Sequence, residues 1–168
     1  MEEVNTPPSG EATRVLFSPP HKPPPRVLVV DDNVEILSLN ARALSNSGYE
    51  VDAAEDGAVA WQNLQRNHYD LLVTDNQMPN LSGVELLQKM YGARLALPVI
   101  MATGALPSED FARSPWLRPA ATLLKPYSFE ELLGTVREVL HATAAAGQVT
   151  DLPPIWPPQP SADRPRLA

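Results

Sequence analysis

A chain of 168 residues with a formal net charge of −7 and no cysteine is bounded before any element is read. The length suits one domain with spare ends. The missing thiols exclude disulfides, zinc–thiolate centres and cysteine nucleophiles, and they fit a reducing compartment. The acidic balance, with no Lys/Arg cluster, argues against a nucleic-acid surface.

Of the 19 prolines, 13 crowd into residues 1–25 and 153–165, with only scattered ones between. Both ends therefore read as Pro-rich solvated tails, 1–25 and 146–168, around a domain at 26–145. The first residues are acidic and lack the apolar core of a secretory signal. No stretch approaches the roughly 18 apolar residues of a membrane span. The expectation is a soluble, cytoplasmic protein.

Arg26-Val27-Leu28-Val29-Val30 is a continuous apolar run and reads as a central strand. It ends in Asp31-Asp32-Asn33, and a helix follows at once, with Val34, Ile36, Leu37, Ala41 and Leu44 on its apolar face. Gly48 supplies a left-handed stop. Val51-Asp52-Ala53-Ala54 is partly polar, as an edge strand would be. A second helix follows the Asp56-Gly57 turn, with Ala60, Trp61 and Leu64 on its inner face. Trp61 reads as packing and His68 as a surface residue.

Leu71-Leu72-Val73-Thr74 is a strand buried on both faces, and Asp75 stands at its carboxyl end. Asn76-Gln77-Met78-Pro79-Asn80 breaks into a loop. Ser82-Gly83-Val84-Glu85 has the spacing of a capping box, and it opens a helix carrying Val84, Leu87 and Tyr91. Pro98-Val99-Ile100-Met101-Ala102-Thr103 is another buried strand, ending on a hydroxyl before Gly104. Ser108 to Arg113 can start a fourth helix, but Pro115 and Pro119 limit it, so a short or broken element is expected. Thr122-Leu123-Leu124-Lys125-Pro126 reads as the last strand. Ser128 and Glu131 cap a final helix faced by Leu132, Leu133, Val136, Val139 and Leu140.

A strand followed by a helix, about five times over, predicts a doubly wound parallel sheet with helices on both faces. In such a sheet the carboxyl ends of the strands share one edge, where ligands bind. Asp31, Asp32, Asp75, Thr103 and Lys125 all fall at such ends. Taken singly, each acid also reads as a helix cap or turn former. Together they suit phosphoryl transfer. Three carboxylates in one cleft call for a hard cation such as Mg²⁺, which takes oxygen ligands. An ammonium and a hydroxyl suit phosphoryl oxygens. Asp75 is left as a carboxylate nucleophile that forms an acyl phosphate.

Asp31-Asp32, then Asp75-Asn76-Gln77-Met78-Pro79 with Gly83, then Thr103-Gly104 and Lys125-Pro126, resembles the receiver domain of two-component response regulators, of the single-domain, CheY-like kind. The resemblance covers about Arg26 to Ala145. It implies a flavodoxin-like, five-stranded sheet of order 2-1-3-4-5. It implies that Asp75 accepts a phosphoryl group from a sensor histidine kinase or a phosphotransfer protein. Asp31, Asp32, Asp75 and the backbone carbonyl of Gln77 would hold Mg²⁺, and Thr103 and Lys125 would bind the phosphoryl group. The Gln77 side chain stands where the family tunes phosphoryl lifetime.

Two departures accompany the match. The family's switch aromatic, three positions before the lysine, is replaced by Thr122. The Pro-rich stretch before Thr122 stands where the family has a full fourth helix. A nonstandard output surface is expected there, with Trp116 and Leu117 either contacting a partner or packing on the sheet.

The functional expectation is a single-domain regulator that catalyses only its own phosphorylation and dephosphorylation and signals to an unknown downstream protein or along a relay, without nucleic acid or membrane. The alternative is a receiver-fold adaptor that binds protein without phosphorylation. A phosphatase-like hydrolase would need a general-acid carboxylate two residues after Asp75, and Gln77 is there instead.

Overall fold

The computed structural model describes residues 23–105 and 108–148; the Pro-rich tails expected at 1–25 and 146–168 fall almost wholly outside them. The elements alternate: β1 (Arg26–Val30), α1 (Val34–Asn46), β2 (Glu50–Ala54), α2 (Gly57–Arg66), β3 (Leu71–Thr74), α3 (Gly83–Gly92), β4 (Val99–Thr103), α4 (Ser108–Arg113), a 3₁₀ turn (Pro115–Leu117), β5 (Ala121–Leu124) and α5 (Phe129–Gln148). The strands form one sheet in the order β2-β1-β3-β4-β5, and every pairing is parallel. This is the doubly wound topology expected from the alternation.

Strand side chains alternate between faces, and the apolar runs of β1, β3 and β4 are long enough to feed both. Leu28, Val30, Leu72 and Met101 pack under α2 and α3 with Leu64, Leu86 and Met90. Val27, Val29, Leu71, Val73 and Ile100 pack under α1 and α5 with Leu44, Leu132 and Val136. The edge strand β2 is the polar one; its Asp52 accepts hydrogen bonds from Arg26 and from the Tyr69 hydroxyl, each at 2.7 Å.

Helix ends follow the cap residues. The Asn33 side chain accepts from the Glu35 and Ile36 N–H groups. Ser82 and Glu85 form the reciprocal capping box at α3, and Ser128 and Glu131 exchange the same bonds at α5. Both glutamates lie below the usual carboxylate range because they accept from the serine's backbone and hydroxyl. Gly48 closes α1 at a φ of 91°, which favours glycine.

Three sequence expectations are refined. Val34 is 58 % exposed and not on the packed face of α1; as the first helical residue it precedes the point where the helix meets the sheet. The fourth helix is short, six residues, because Pro115 follows at once and the chain turns into a 3₁₀ segment. Within that segment the two candidate contact residues separate: Trp116 is 45 % exposed, whereas Leu117 is 4 % exposed and belongs to the core under α3. Leu117 is therefore a packing residue. Among the described residues no helix is long and apolar enough to cross a membrane.

Candidate functional site

Backbone pairing aligns the site. The Asp75 N–H donates to the Val30 carbonyl at 2.9 Å, which sets the end of β3 beside the end of β1. The Lys125 N–H donates to the Thr103 carbonyl at 2.9 Å, which does the same for β5 and β4. Parallel pairing thus brings Asp31, Asp75, Thr103 and Lys125 to one edge, although up to 94 residues separate Asp31 from Lys125.

The Lys125 ammonium is the hub. It donates to Asp31 Oδ2 at 2.7 Å and to Asp75 Oδ2 at 2.8 Å. Asp31 is 2 % and Asp75 7 % exposed, and buried carboxylates need such partners. Burial lowers the ammonium's pKa, but the bonds and charges of Asp31 and Asp75 outweigh it, and the net shift is upward. Lys125 is therefore a fixed positive charge.

The other oxygen of each acid is held by backbone. Asp31 Oδ1 accepts from the Asn33 N–H at 2.9 Å. Asp75 Oδ1 accepts from Asn76 N–H at 2.6 Å and Gln77 N–H at 3.2 Å. Exposed Asp32 completes a group in which one oxygen from each of Asp31, Asp32 and Asp75 lies within 4.8 Å of the others. Three carboxylates facing one ammonium leave an excess of negative charge. An all-oxygen set, part buried and part open to water, suits a Mg²⁺ ion that keeps several waters.

Thr103 is fully buried, and its hydroxyl donates to the Ala105 carbonyl at 3.0 Å. Thr122 is exposed on β5, paired in register with Met101. The Gln77 side chain is exposed beside the acceptor loop.

Sequence reasoning missed several supports. The Asn76 side-chain oxygen accepts from the Val84 N–H at 3.0 Å, and its carbonyl accepts from Met78 and Gly83. Asn76 thereby pins the acceptor loop to the start of α3. Gly83 is needed there: a Cβ would collide with the Asp75 carbonyl. Behind Lys125, buried Asn40 on α1 donates to the Tyr127 hydroxyl at 2.8 Å. An Asn directly after a strand-end acid was the available signal for the first; nothing local announces the second.

The architecture and this strand edge have known counterparts. A family model described as the response regulator receiver domain matches residues 27–137. The chain belongs to the response regulator receiver family.

The receiver is 33% identical over 118 residues to the response regulator MprA of Mycobacterium tuberculosis, covering 70% of this chain and 51% of that protein. It is 30% identical over 129 residues to the alkaline phosphatase synthesis transcriptional regulatory protein PhoP of Bacillus subtilis, covering 76% and 53%. The chain thus spans about half the length of the curated relatives it matches. Among solved structures, a CheY-like receiver domain protein from Methanospirillum hungatei superposes with a TM-score of 0.69 at 29% identity, covering 74% of this chain and 99% of that one. The chemotaxis response regulator CheY4 of Vibrio cholerae gives 0.62 at 30% identity, covering 69% and 98%. The receiver is a signalling domain by family.

Proposed function

We propose that this receiver accepts a phosphoryl group on Asp75 in a Mg²⁺-dependent reaction. The donor is a phosphohistidine on a sensor histidine kinase or a phosphotransfer protein. The receiver then signals by protein–protein contact or passes the group along a relay, in the cytoplasm. The observation that carries this reading is the Lys125 ammonium held between Asp31 and Asp75 at the edge of three gathered carboxylates.

The two Asp75 oxygens have different work. Two N–H groups fix Oδ1, while among the described residues Oδ2 has the Lys125 ammonium as its one partner. Oδ2 is the nucleophile. It forms the O–P bond as the donor's N–P bond breaks, and the imidazole nitrogen keeps the electron pair. Asp31, Asp32, Asp75 and the Gln77 carbonyl would hold Mg²⁺, which supplies charge neutralisation to the transferring oxygens. Lys125 then moves its bond from Oδ2 to a phosphoryl oxygen. The Thr103 hydroxyl then donates to another phosphoryl oxygen in place of the Ala105 carbonyl, pulling on the loop that leads to α4. With Thr122 in place of an aromatic, that loop and the short α4 carry the readout. The exposed Gln77 amide stands at the rim, where it sets access of hydrolytic water.

A second reading, an adaptor that never takes phosphate, is favoured by exposed Thr122, which has no ring to reorient. Intact mass after incubation with a small phosphodonor separates the two. Phosphorylation predicts one Mg²⁺-dependent adduct on the native chain and none on Asp75→Asn. No adduct on the native chain, beside a competent control receiver, leaves the adaptor.

A further inference from the structure

At the sheet end away from the carboxylates, α3, the 3₁₀ turn and α5 enclose an open apolar groove of about 340 Å³. Met90, Tyr91, Leu97, Trp116 and Leu117 line it, Arg118 stands at one side, and Thr143 of α5 contributes to it. Tyr91 and Trp116 form a tilted aromatic pair with centroids 6.4 Å apart. Trp116 remains 45 % exposed despite that contact.

We infer that this groove is the docking site for the chain's own segment Pro153-Pro154-Ile155-Trp156-Pro157-Pro158, bound in cis. Three observations select this occupant. The first is reach: Thr143 lines the groove, α5 ends at Gln148, and Trp156 follows eight residues later. At roughly 3.1 Å per extended residue, those eight span about 25 Å, ample to return along the last turns of α5. The second is chemistry. Pro154 and Pro157 have PxxP spacing, and extended Pro-rich segments bind in aromatic-lined grooves because their backbone is already ordered. Trp156 adds a large apolar side chain to meet the Tyr91–Trp116 pair. The third is charge: Asp151 precedes the prolines, and Arg118 has no ion-pair partner among the described residues. A partner that reads the Trp116 face must displace this segment first.

The chain's lack of cysteine permits a clean test. Pro160→Cys in the full chain takes a single nitroxide label, and amide signals are followed by paramagnetic broadening. Tethering gives an effective concentration of roughly 1 mM, enough to fill a site of about 1 mM Kd to about half. Because so weak a site exchanges fast and averages the relaxation enhancement over occupancy, signals of Tyr91, Leu117 and Thr143 should then lose most of their intensity. The loss should be independent of protein concentration and should disappear in Trp156→Ala and in Trp116→Ala. Three outcomes overturn the proposal. One is no selective broadening at the groove. Another is broadening of an isotope-labelled chain only by a separate nitroxide-carrying copy, which means docking in trans. The third is groove broadening from a label at Ser9→Cys with none from position 160, which means the other Pro-rich end is the occupant.

Discussion

Asp75 and Asp31 share one cation, and the consequences of removing it can be stated. Lys125→Ala leaves two nearly buried carboxylates facing each other without a counter-charge. Because the site opens to water on the Asp32 side, the cost should be about 1–3 kcal/mol, below that of a fully buried pair. Mg²⁺ supplies the missing charge, so it should raise the Tm of Lys125→Ala by more than it raises that of the native chain. Equal shifts would contradict the assignment of the carboxylates as the ion's ligands. A second residue-scale prediction concerns Tyr69, whose phenol burial and the Asp52 carboxylate push up to about 12 from 10.0. The fold favours the neutral phenol, so its contribution to stability is full below pH 10 and is lost as pH rises toward 12. Burial pushes the Tyr127 phenol up as well, so absorbance at alkaline pH should show late-ionising tyrosines, with the Tyr69 contribution lost in Tyr69→Phe and the Tyr127 contribution kept. At this scale the sequence placed the acids, the hydroxyl and the lysine at strand ends, because each stands next to a hydrophobic run that ends. It did not disclose Asn40 with Tyr127, whose meeting across 87 residues depends on how α1 lies against the β5–α5 loop.

The elements themselves were legible wherever a period or a cap was strong. The continuous runs of β1, β3 and β4 and the capping boxes of α3 and α5 stand where the residues place them. The 3₁₀ turn was harder, because three residues between prolines carry no period, and Trp116 and Leu117 are equally apolar as letters. Packing separates them. Leu117→Ala should cost about 2–4 kcal/mol in denaturant unfolding, and Trp116→Ala under about 1 kcal/mol; comparable losses would contradict the burial of Leu117. Near the other end of the sheet, Ile36 and Leu39 of α1 with Pro126, Tyr127 and Phe129 border a 450 Å³ apolar recess that also touches Lys125. Leu39 is 52 % and Phe129 47 % exposed. Under the proposed phosphotransfer, a macromolecular donor that reaches Asp75 past Lys125 would cover this rim, whereas a small donor would not. Leu39→Asp should therefore slow phosphorylation from a phosphohistidine protein by about tenfold, equivalent to about 1.4 kcal/mol, and leave the small-donor rate unchanged.

At the scale of the whole molecule, the parallel sheet converts sequence order into a site. Five parallel strands in the order β2-β1-β3-β4-β5 place β1 and β3 side by side, and the reversal of strand order there (β2 to one side, β3 to the other side of β1) opens the crevice that Asp31 and Asp75 line. Two packed faces flank that crevice; Thr103 is buried at the end of β4, and the short α4 rests on the core through Phe111. The alternation of strands and helices was enough to foresee this topology, and Thr122 at the switch position was legible as well; the split fates of Trp116 and Leu117 needed three dimensions. The central claim is that Asp75 alone carries the acyl phosphate. Borohydride reduction of the phosphodonor-treated, Mg²⁺-loaded chain, followed by peptide sequencing in the mass spectrometer, tests it most directly, since reduction converts an aspartyl phosphate to homoserine. The account predicts homoserine at position 75 and at no other aspartate. Homoserine at Asp31 or Asp32, or none at all in a chain that has taken up phosphate, would contradict it.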